Sequence, residues 1–122
     1  MHYMLTMLET AAAMSERDHP EKAEGYWGGW MAYAEAVRFS GVMVSGNGLQ
    51  PPATATTLRI RNGQRHVEDG PFAETKEMIG GYFIIDVPDL DAALAWAARA
   101  PAALNGAVEI RPVLPPPPPA AA

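Results

Sequence analysis

The segment Asp69-Gly70-Pro71-Phe72-Ala73-Glu74-Thr75-Lys76-Glu77 brings an acid, an aromatic ring and a lysine together beside a chain reversal. Asp69 stands at the end of an alternating row, Leu58, Ile60 and Val67, on one face of a predicted hairpin. A carboxylate at the rim of an apolar face has two readings. It caps a turn by accepting from the amides of Phe72 or Ala73, or it is a general acid/base whose basicity burial would raise. Lys76, with Arg59 second, would supply positive charge to an anion forming beside Asp69. Phe72 would form part of a binding wall. His66 falls opposite Arg59 and beside Glu68, and Tyr33 sits at a helix angle that puts it on a cleft edge or the surface. His2, His19 and His66 lack paired ligand spacing, and cysteine is absent, so no metal site and no thiol chemistry are expected.

Those residues are positioned by elements the pattern makes legible. Asn62-Gly63 is the preferred pair for a two-residue turn, which sets Thr56 opposite Asp69 and Arg59 opposite His66. Residues 2–8 read as a strand, with Tyr3, Leu5 and Met7 on one face and Met4, Thr6 and Leu8 on the other. Ser15 to Pro20 is a polar lead-in. Ala23, Trp27, Trp30, Met31, Ala34 and Val37 recur at helical spacing over about 21–39, and Gly41 stops that helix. Trp27, Trp30 and Met31 are expected to pack on the sheet. Residues 42–45 form a short strand and 46–52 a loop. Residues 79–87 form the strongest strand, in which Gly80 and Gly81 leave room for a bulge or a close backbone approach. Asp89 caps a second helix, ended by Pro101, and 107–113 is the last strand.

The order β-α-β, hairpin, β-α-β implies an α+β, ferredoxin-like antiparallel sheet with two helices on one face and an inserted β-hairpin. Two helices cover one side only of a sheet that is apolar on both. A face-to-face homodimer, forming a dimeric α/β-barrel, is therefore expected. One domain spans 1–114, and the Pro/Ala tail 115–122 is expected to be disordered. The net charge of −5 argues against nucleic acid and anionic membranes as partners. No apolar run approaches the roughly 20 residues of a membrane span, which points to a cytoplasmic protein.

Several stretches resemble the YCII-related, or DGPF-domain, family. They are His66 through Tyr82 around the Asp69-Gly70-Pro71-Phe72 core, Leu49 through Arg59, Asp86 through Leu94, and Ala107 through Val113. The resemblance implies ferredoxin-like subunits in a dimeric barrel; no tightly bound organic cofactor is expected. It also implies a group that includes a dehydrochlorinase-like branch, in which a His–Asp pair in a cleft is the suspected machinery. Asp69 matches the motif aspartate, and neither His19 nor His66 stands where the pair would need a histidine. The expected function is a small-molecule enzyme doing proton abstraction or lyase-type elimination. The alternative is a non-enzymatic ligand-binding or regulatory dimer associated with an extracytoplasmic-function sigma factor, as the resemblance allows.

Overall fold

A computed structural model describes residues 1–71 and 75–120. Strand β1 (His2–Thr10) runs at the centre of a four-stranded antiparallel sheet. Its neighbours are β5 (Glu77–Asp86) and β6 (Ala107–Pro112), and β2 (Met43–Gly48) pairs on the far side of β5, giving the order β2-β5-β1-β6. A separate two-stranded ribbon, β3 (Thr56–Arg61) and β4 (Gln64–Asp69), projects from the β2–β5 connection. Its register has Thr56 opposite Asp69 and Arg59 opposite His66, with positive φ at Asn62 (53°) and Gly63 (74°), as the turn pair requires.

Alternation along β1 turns Tyr3, Leu5, Met7 and Glu9 toward the helices, and all four are buried. Helix α2 (Ala23–Ser40) and helix α3 (Leu90–Ala97) cover that face and complete the core with Tyr33, Val37, Ala93 and Ala97. Gly41 closes α2 at φ 85°, and the Asp89 side chain caps α3 by accepting from Ala92 N at 2.9 Å. Two short helices, α1 (Ala11–Met14) and α4 (Ala102–Asn105), complete the set; Thr10 caps the first and Pro101 opens the second, while α3 ends at Ala97, ahead of the Pro101 stop expected from sequence.

The structure corrects the α2 stripe, the place of Tyr33, and the ends of β1 and β2. The buried stripe of α2 is Trp30, Tyr33, Ala34 and Val37, so Trp27 (43% exposed) and Met31 (62% exposed) stand outside the core. Tyr33 is inside because its hydroxyl reaches the Trp96 carbonyl at 2.9 Å, which makes burial of the ring affordable. Strand β1 continues two residues past Leu8. Strand β2 runs on through Gly46-Asn47-Gly48, because Gly46 leaves space for the Phe83 ring; a Cβ there would stand 2.8 Å from it.

The opposite sheet face carries Met4, Leu8, Tyr82 and Ile84, half-buried, and Val44 and Ile79, about half exposed. Leu58, Ile60 and Val67 of the ribbon are each more than half exposed.

Candidate functional site

Glu9 is the buried charged residue of the core, 2% exposed, and it ends the inward row of β1. Burying a carboxylate demands partners. They come from the 3-10 turn after α1 and from the start of α2. Arg17, in the 3-10 turn Ser15–Asp18, places Nη2 3.1 Å from Glu9 Oε2, and Tyr26, in the first turn of α2, donates its hydroxyl to Glu9 Oε1 at 2.5 Å. Arg17 Nε donates to the Tyr26 oxygen at 2.8 Å, so the three side chains form a closed ring.

The same guanidinium ties down the chain around it. Nη1 donates to the Leu49 carbonyl at 2.5 Å and Nη2 to the Gly80 carbonyl at 3.0 Å. Gly80 is the extra residue where the β1–β5 register shifts between Met7 and Leu8, and its carbonyl also accepts from Leu49 N at 2.9 Å. Only glycine fits there, since a Cβ would overlap the Glu9 carboxylate. Trp27 adds a lid: its indole N–H donates to the Arg17 carbonyl at 2.9 Å and its ring lies 5.3 Å from the guanidinium carbon.

Tyr26 and Trp30 separate two cavities. One, of about 210 Å³, is walled by Met7, Trp27, Trp30, Met31 and Phe83, with Arg17 and Tyr26 at its polar edge. The other, of about 170 Å³, adjoins Glu9 and Pro101. Burial first, then the hydrogen bond to Glu9, pushes the Tyr26 phenol up to about 12, against a smaller lowering by Arg17. The phenol therefore remains protonated at neutral pH. One lone pair of its oxygen takes Arg17 Nε.

The residues singled out from sequence fall elsewhere. Asp69 is exposed at the end of β4, and Lys76 is exposed at the foot of β5. Lys76 lines a third cleft, of about 1020 Å³, between the ribbon and the outer sheet face; Asp69 is not among that cleft's walls. Arg59 lies 3.7 Å from Glu68 and opposite His66, so these three share one ribbon face. Tyr33 is in the core beside Phe83, and Phe72 lies outside the described residues. No cluster of three or more metal-ligating side chains occurs among the described residues, and no helix among them is long and apolar enough to cross a membrane.

A model of the YCII-related domain matches residues 1–116. The chain belongs to the YCII-related family. An uncharacterized protein of Rhizobium meliloti (strain 1021) is 45% identical over 67 residues, and that match covers 53% of this chain and 54% of the relative. The chain thus matches about half the length of that curated relative. Among solved structures, 5-chloro-2-hydroxyhydroquinone dehydrochlorinase (TftG) of Burkholderia phenoliruptrix, in complex with 2,5-dihydroxybenzoquinone, is similar with a TM-score of 0.53. The identity is 15%, and the likeness covers 93% of this chain and 94% of that one, so what the two share is the α+β fold.

Proposed function

We propose that this YCII-related protein is a small-molecule enzyme that removes a proton from a flat, unsaturated substrate held against Trp27, Trp30 and Phe83, in an elimination-class reaction. The observation that carries this reading is Tyr26, which lines the cavity and whose hydroxyl is bonded to the buried Glu9 at 2.5 Å. In the proposed step a substrate proton passes to the free lone pair of Tyr26 while the phenolic proton moves on to Glu9. No tyrosinate accumulates, which suits a phenol held at about 12. Arg17 keeps the phenol and carboxylate aligned. For elimination of hydrogen chloride, the electron pair of the broken C–H bond forms the new π bond as the C–Cl bond breaks and its pair leaves with chloride, and the proton passed to Glu9 leaves by the cavity that adjoins it. The fold shared with TftG, a dehydrochlorinase, supports trying that class first.

The carboxylate role assigned to Asp69 from sequence passes, in this proposal, to Glu9. Asp69 and Lys76 remain candidates for a second role at the ribbon, where an anionic group would meet Lys76. A second copy of the chain belongs to the same reading. The apolar ribbon face (Leu58, Ile60, Val67) and the outer sheet face (Val44, Ile79) are both uncovered in one subunit, and a face-to-face dimer would bury them.

The test is a titration of the protein with 2,5-dihydroxybenzoquinone, read by tryptophan fluorescence, and an assay of chloride release from 5-chloro-2-hydroxyhydroquinone and related chlorinated quinols. Quenching that weakens at least ~10-fold in Trp30→Leu, together with chloride release, is the expected result. Quenching without turnover of any halide would leave a binding protein, and absence of both would remove the reading.

A further inference from the structure

Helix α2 turns two apolar side chains away from the core, and both wall the cavity of about 210 Å³ beside Tyr26. Trp27 and Met31 stand one turn apart on the same stripe, and Met31 is 62% exposed. Met7, which lines the same cavity from β1, is 1% exposed. The cavity therefore has an inner wall sealed from water and an outer wall that dissolved reagents reach.

All seven methionines lie among the described residues, and their exposure separates them. Met7 and Met14 are buried, Met4, Met43 and Met78 are half-buried, and Met1 and Met31 are exposed. Met1 sits beside Asp86, at the opposite end of β1 from Glu9. Met31 is thus the methionine that is both open to solvent and part of the ligand wall. With cysteine absent, a thioether is the sulfur that peroxide can attack. In that step sulfur gives up two electrons and takes one oxygen, the O–O bond breaks, and the other oxygen leaves as water. A soft apolar group becomes a polar sulfoxide. A ring pressed against that wall would have to strip water from the new oxygen, which opposes binding.

We propose that Met31 is an oxidant-sensitive modification site, at which peroxide turns the outer wall of the cavity polar and weakens its hold on an apolar ring. The proposal rests on the reading of that cavity as the ligand site. It also ties the site to its proposed substrates, because a quinol oxidised by dioxygen gives a quinone and one hydrogen peroxide. Oxidant and substrate would then arise together, and reduction of the sulfoxide would restore the site.

The test treats the full chain with hydrogen peroxide, removes the excess with catalase, and follows two readouts. Peptide mass spectrometry should show Met31 oxidised at least ~10-fold faster than Met7 or Met14, in line with exposure. Titration with 2,5-dihydroxybenzoquinone, read by tryptophan fluorescence, should show a dissociation constant raised at least ~5-fold by the treatment. Methionine sulfoxide reductases acting on both epimers should reverse the change. Met31→Leu, compared with itself, should show the same affinity before and after peroxide. Unchanged affinity once Met31 is oxidised, an equal loss in Met31→Leu, or oxidation of Met31 no faster than of Met7 would overturn the proposal and leave the cavity reading intact. No quenching in the untreated protein would remove the cavity reading and this proposal with it, so the two failures are distinguishable.

Discussion

Replacing Arg17 by methionine removes the side chain on which four hydrogen bonds converge, to Tyr26, Leu49, Gly80 and Glu9. The side chain of Glu9 is 3% exposed, so solvent screening does little to offset the lost cation. Breaking a buried ion pair from one side typically costs ~3–5 kcal/mol, because the remaining charge is left uncompensated. Domains of this size are stable by roughly 5–15 kcal/mol, so Arg17→Met should stay folded in buffer with a much lower urea midpoint. Glu9→Leu should cost less, about 2–3 kcal/mol, since Arg17 is 11% exposed and keeps three other acceptors. The double variant removes both charges together. It should recover at least ~2 kcal/mol relative to the sum of the single losses. Equilibrium unfolding in urea, followed by tryptophan fluorescence and by circular dichroism, reads all three. Additivity within ~0.5 kcal/mol, or a cost below ~1 kcal/mol for Arg17→Met, would refute the claim that this pair is energetically coupled.

Three further outcomes follow from the same packing. Burial holds the phenols of Tyr26 and Tyr33 up at about 12, whereas unfolded tyrosine ionises near 10. Their contribution to stability is therefore complete below about pH 10 and is lost as pH rises toward 12, by about 2 kcal/mol for Tyr33 and less for the partly exposed Tyr26. Phenolate absorbance in the wild type and in Tyr→Phe variants checks this; midpoints near 10 for both would contradict it. Gly80→Ala would set a Cβ 2.9 Å from the Glu9 carboxyl carbon and should destabilise by ~1–3 kcal/mol. In contrast Gly25→Ala in α2, with nothing within 4 Å, should stabilise by ~0.5–1 kcal/mol; equal thermal midpoints for the two variants would contradict the packing described. Glu77→Leu should raise the urea midpoint, by ~1–3 kcal/mol of stability, because it removes a buried oxygen that lacks a donor, and a lowered midpoint would contradict that assignment.

Local chemistry was readable from the residues, and long-range closure was not. Asn62-Gly63 determines the ribbon's register, Gly41 the end of α2 and Asp89 the start of α3, each through contacts within a few positions. The α2 phase was misread because Trp27 and Met31 fit the same spacing as Trp30 and Val37. What decides between the stripes is the hydroxyl of Tyr33 finding Trp96, 63 positions away. Glu9 had a usable signal. The alternation that marks Asp69 at the end of an apolar row also carries Tyr3, Leu5 and Met7 on to Glu9, one residue past the strand end read at Leu8. Arg17 had none: it lies in a polar stretch, and its partner Gly80 is likewise 63 positions off, at a bulge that only the β1–β5 pairing creates.

Steady-state turnover and ligand affinity, measured together for Tyr26→Phe and Glu9→Gln on a halogenated quinol the wild type dehalogenates, weigh the relay most directly. Each variant should lose ~10²–10⁴-fold in kcat while its dissociation constant for 2,5-dihydroxybenzoquinone moves less than threefold. Undiminished kcat in Tyr26→Phe would show that the proton leaves by another route.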